Sequence, residues 1–124
     1  MAVTVTNQSN PIGSRLVNDS DVTSTAADNT TGTTGTLYMV EVDNTANSGI
    51  VYFKMADSTD ATGGGASGTA ATLVLMVPGS TKMSYVFPTG IAFSAGFSHW
   101  CVTGAAESND TSPGNDVIAR YVTS

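Results

Sequence analysis

The run from Thr72 to Thr103, TLVLMVPGSTKMSYVFPTGIAFSAGFSHWCVT, does most to restrict what this chain can fold into. Short apolar segments rich in β-branched and aromatic residues follow one another with only two or three turn-type residues between them. No helix of ordinary length fits in such a run, so its segments must bury their side chains by pairing and by packing against a second sheet. At 124 residues the chain has the size of one domain, enough for a single core. The expectation is one antiparallel β-sandwich over residues 1–124, immunoglobulin-like or jelly-roll, in preference to a closed barrel.

The rest of the sequence fits this frame of about nine short strands. AVTVT at Ala2 to Thr6 alternates and predicts a first strand, and Ser14 to Thr25 predicts a short edge strand around Leu16, Val17 and Val22. Ala26 to Gly35, AADNTTGTTG, offers little to bury and reads as a flexible tip. TLYMVEVDNTANSGIVYFKMA, Thr36 to Ala56, reads as a hairpin with DN and SG turn signals. On its second strand Val51, Phe53 and Met55 are expected to face the core, with Lys54 in solvent. Asp57 to Ala71, with three consecutive glycines, predicts an exposed flexible excursion. TLVLMVP is apolar on both faces, which predicts a central strand covered on both sides, the outer cover being another subunit. Gly79 and Ser80 predict a tight turn, Pro88 to Gly90 a second, and DVIARYVTS a last strand.

Charge narrows the partners. Arg15, Lys54, Lys82 and Arg120 are the only Lys and Arg residues, and the net charge is -6. Phosphate backbones and anionic membranes both require clustered cations, so neither nucleic acid nor a membrane surface is expected as a partner. The N-terminal MAVTVTNQSNPIGSR has neither a basic nor an apolar signal region, which points to synthesis in a reducing cytoplasm. Cys101 is the single cysteine and can form no intrachain disulfide.

Little in the sequence suggests chemistry. His99 and Cys101 fall on one face of a strand, with Trp100 on the other. A nucleophilic Cys-His pair would also need an orienting group and an oxyanion site, which nothing nearby supplies. A structural histidine and a buried thiol are expected instead. Zinc lacks the CxxC or HxxxH spacing. Asp19, Asp21, Asp28, Asp57, Asp60, Glu107, Asp110 and Asp116 show no calcium-loop arrangement, so they read as solvated loop carboxylates. GGGASG at Gly63 to Gly68 lacks the Lys and Ser or Thr of a P-loop. Tyr38, Tyr52, Tyr85, Trp100 and Tyr121 could form a sugar platform, but a core of this size needs most of them. No catalytic, cofactor or metal residue is expected.

The order VDNTANSGIVYFKMAD, then LVLMVPGSTKMSYVFPTGIAFSAGFSHWCVTGAAE, then TSPGNDVIARYV resembles small virion structural proteins of tailed bacteriophages, particularly phages of marine bacteria and cyanobacteria. The resemblance covers roughly Val40 to Val122 and rests on turns and apolar spacing. It implies a non-enzymatic virion protein, foremost a capsid decoration or cement protein that bridges capsomers. Its implied partners are the major capsid protein or other virion proteins, and further copies of itself, with a trimer favoured. The alternatives are a tail, collar or head-to-tail component, or a receptor- or glycan-binding module on the virion. On this reading Phe53, Leu73, Leu75, Val77, Phe87 and Trp100 are core or subunit-interface residues.

Overall fold

The computed structural model describes residues 3–7, 13–62 and 68–124, so the glycine-rich centre of the 57–71 excursion lies outside the described residues. Among them the chain is all-β, with two antiparallel sheets and no helix. The strands are β1 (Val3–Asn7), β2 (Arg15–Asp19), β3 (Gly35–Asp43), β4 (Val51–Asp57), β5 (Leu73–Val77), β6 (Lys82–Phe93), β7 (Phe97–Val102) and β8 (Ile118–Thr123). One sheet has the order β1-β2-β8-β3-β6 and the other β5-β4-β7. Alternate residues of both sheets meet in one core: Val17, Leu37, Val40, Val42 and Tyr121 from the first, Val51, Phe53, Met55, Leu75 and Val77 from the second.

The strands are largely where alternation places them, but several partners differ from expectation. β3 and β4 form no hairpin, because they belong to different sheets. The 44–50 connection is a corner from one sheet to the other, held by the fully buried Asn44, whose Nδ2 donates to the carbonyls of Gly49 at 2.9 Å and Pro78 at 3.0 Å. Asn47 Nδ2 donates to Asn44 Oδ1 at 3.0 Å and to the Asn115 carbonyl at 3.1 Å, tying in a third loop. The short turns after β5 and β6 also cross between sheets, so β5 pairs with β4, β6 with β3 and β7 with β4. The run of adjacent segments therefore zigzags through the core instead of pairing with itself.

Three further expectations are corrected. β5 is a sheet edge and not a central strand, with Val74 and Met76 45% and 49% exposed. β2 lies between β1 and β8 and is not an edge. Pro88 to Gly90 makes no turn: β6 runs through it, and the register jumps from Leu37↔Ile91 to Met39↔Val86. That bulge requires Gly90, at φ 76°, where a Cβ would also strike the Thr36 side chain.

The segment expected as a loose tip at 26–35 is instead tied to the β7 edge. Ala27 N donates to His99 O at 2.8 Å, His99 N returns a bond to Ala27 O at 3.1 Å, and Thr30 N donates to Phe97 O at 2.8 Å. The paired segments then nest in sequence: β2 with β8, Ala27 with His99, β3 with β6, β4 with β5.

Candidate functional site

Four side chains remote in sequence meet in the core between the sheets. Asp19 ends β2, His99 lies mid-β7, Tyr121 lies on β8, and Thr30 sits on the segment alongside β7. His99 Nε2 is 2.7 Å from Asp19 Oδ2, its Nδ1 is 2.9 Å from the Tyr121 hydroxyl, and that hydroxyl is 2.6 Å from Thr30 Oγ1. Asp19, His99 and Tyr121 are all fully buried. The Asp21 amide donates to the other Asp19 oxygen at 3.0 Å.

Burial by itself pushes the Asp19 carboxyl up, but the His99 hydrogen bond, the Asp21 amide and the His99 charge together hold it below the ordinary carboxylate value. Burial also pushes the Tyr121 phenol up, so it remains a neutral donor. With Asp19 ionised, His99 Nε2–H donates to it. The chain closes with a neutral ring accepting from Tyr121, or with a cationic ring donating to it while Tyr121 donates to Thr30 and Thr30 to the Phe97 carbonyl. Either arrangement gives the ring nitrogens partners and links both sheets.

Asp19 was expected among the solvated loop carboxylates; it is corrected to a buried partner of His99. Cys101 is buried on the core-facing side of β7, and burial raises its thiol to about 12, far from a ready thiolate. Asp57 accepts from the amides of Ser94, Ala95 and Gly96 at 3.0, 2.7 and 3.3 Å, and from the Ser94 hydroxyl at 3.1 Å. Among the described residues no three His, Cys, Asp or Glu side chains converge as a metal-binding group.

Comparisons with protein-family models, curated proteins and solved structures find no match.

Of the residues singled out as core or interface, Phe53, Leu75, Val77 and Trp100 are buried, while Leu73 and Phe87 are partly buried against the main core. Trp100 belongs to a second small cluster on the outer face of the three-stranded sheet, with Ala56, Ala61 and Val102. Trp100 and Tyr121 are therefore withdrawn from any surface sugar platform. Lys54, placed in solvent from the local pattern, is only 2% exposed. It does point away from the core, but the 103–117 loop folds over it and Nζ donates to the Ala106 carbonyl at 2.9 Å.

The outer surface near the β5 edge is apolar. Met76 stands opposite Tyr52, and Ile50 lies two residues before it, with Ile50, Val74 and Met76 between 45% and 49% exposed. On the neighbouring edge strand β6, Val86 is 65% exposed, and the Tyr85 hydroxyl donates to the Met76 carbonyl, which draws the two edges together. Sequence reasoning flagged the apolar outer side of β5 but gave no sign that a free edge carries it.

Proposed function

We propose that this chain is a non-enzymatic structural subunit of a tailed-phage virion, foremost a decoration or cement protein that joins its own copies and the capsid shell. Ile50, Val74 and Met76, exposed at the β5 edge, together with Val86, exposed on the adjoining edge strand β6 but on the outer side of the other sheet, are the observation that carries this reading. An apolar edge strand left in water invites pairing with another chain. Repeated over many copies on a lattice, modest burial at each contact accumulates into resistance to pressure from within. The nested pairing supports a jelly roll, in which one long two-stranded ribbon with its tip at β4 and β5 winds around a core. That architecture also serves viral shells. A trimer is the favoured assembly, since a three-fold axis lets each copy present the same edge to the next.

Electron cryomicroscopy of purified particles tests the placement: density for this chain at lattice-matched copy number is expected, and its absence from particles would sink the proposal. A copy number of 3, 6 or 12 would move it to the tail or collar. Sedimentation of the isolated protein tests the edge directly. Met76→Lys with Val86→Lys is expected to convert an oligomer to a monomer; an unchanged mass would remove the edge from the interface.

A further inference from the structure

The outer face of the three-stranded sheet carries a pocket of about 200 Å³, open on one side, between residues 69–71 and 105–107. Its floor is a single transverse row, Val74–Lys54–Trp100, set by the register of β5, β4 and β7. Lys54 and Trp100 are both buried, at 2% and 1% exposure. Lys54 gives one hydrogen bond, to Ala106, and among the described residues no carboxylate lies within ion-pairing distance of it. Among the described residues Trp100 Nε1 is buried without a partner. A buried cation lacking a counter-charge and a buried N–H lacking an acceptor each cost free energy, and here they line one cavity.

We propose that this pocket binds a carboxylate, one oxygen taken by the Lys54 ammonium and the other by the Trp100 indole N–H. A carboxylate has two acceptor oxygens and a negative charge, which answers both deficits at once; a water molecule can accept from both donors but leaves the buried charge uncompensated. The volume suits acetate or the end of an Asp or Glu side chain, and falls below the range of pockets for larger ligands. Ala70, Ala71 and Val74 supply the apolar wall for the attached carbon. Burial lowers the Lys54 pKa, while the Glu107 carboxylate acts only through space to raise it. Glu107 sits exposed at the rim, where its charge weakens the hold on an incoming anion. The site shares Val74 with the edge patch, but its polar groups, Lys54 and Trp100, lie outside that patch and do not depend on the assembly reading.

Trp100 is the only tryptophan, so its indole N–H gives one side-chain signal in a nitrogen-proton correlation spectrum. Titration of the whole chain with sodium acetate, and separately with a blocked Gly-Glu-Gly peptide, at fixed ionic strength is expected to move that signal saturably. Chloride should not move it. Saturation with acetate marks a site for free small carboxylates; saturation with the peptide alone marks one for a protein-borne acid. Lys54→Met is expected to abolish the shift with the fold kept. Glu107→Gln, at an exposed position, is expected to tighten binding about two- to fivefold, the scale of one exposed charge interaction. No saturable shift with either probe, an equal shift with chloride, an undiminished response in Lys54→Met, or no tightening in Glu107→Gln would overturn the proposal.

Discussion

Removing the Asp19 carboxylate is the most direct test of what holds the two sheets together. Asp19→Ala leaves the His99 Nε2–H, now 2.7 Å from an acceptor, facing a gap in a fully buried site, and it removes the acceptor of the Asp21 amide. An orphaned buried donor costs about 1–3 kcal/mol, and the part-exposed Asp21 amide adds at most about 1 kcal/mol because water can reach it. Breaking a buried ionic pair from one side costs about 3–5 kcal/mol when a charge is stranded. The two routes overlap near 3–4 kcal/mol, a large share of the roughly 5–15 kcal/mol that stabilises a typical domain. At roughly 3–5 °C per kcal/mol for a chain of this size, the melting temperature should fall by about 10–20 °C.

The pH dependence has a definite sign. The folded-state pKa of Asp19 lies below its unfolded value, so its contribution is fully present above about pH 4–5 and is lost as pH falls through the folded pKa. Urea unfolding followed by the fluorescence of Trp100, the only tryptophan and a buried one, measures this. The stability gap between the wild type and Asp19→Asn should be widest near neutral pH and shrink toward pH 3. A loss under about 1 kcal/mol for Asp19→Ala, or a gap that does not narrow in acid, would refute the assignment of Asp19 as the anchor of this network.

Gly79→Ala is expected to destabilise by more than about 2 kcal/mol, because a Cβ there would lie against the Ser48 carbonyl where two sheet-crossing corners meet, and neither backbone can yield; denaturant midpoints check it. Asp57→Ala, which frees the Ser94, Ala95 and Gly96 amides, is expected to cost about 1–3 kcal/mol and to speed hydrogen exchange at those residues. Cys101 should react with a thiol reagent only at the rate of global unfolding, since its thiol is buried and pushed up to about 12; fast labelling of native protein at pH 8 would contradict its burial.

Much of the strand content was legible because the alternation of apolar and polar residues is a local signal. Val51, Phe53 and Met55 face the core as their period demands, and Asp19, His99 and Tyr121 share the core-facing phase of their strands. Period two identifies a face, however, and not a partner. Gly79-Ser80 and the residues after Phe93 are short enough for hairpins, yet each joins opposite sheets. Lys54 illustrates the same limit: its phase away from the core was readable, but its burial comes from a loop some fifty residues later.

The sequence alone determined an all-β chain, the positions of most strands and the inward face of β4, because these follow from side-chain chemistry within a few residues. Only the tertiary structure decided which strands pair, where the free apolar edge lies, and that Asp19, His99 and Tyr121 come together across separations of 80 and 22 residues. It likewise put Lys54 and Trp100 in one pocket, by setting the register of β4 against β7 and folding a distant loop above them. Those outcomes depend on how the whole chain closes around one core, a balance of many distant contacts that no local window contains.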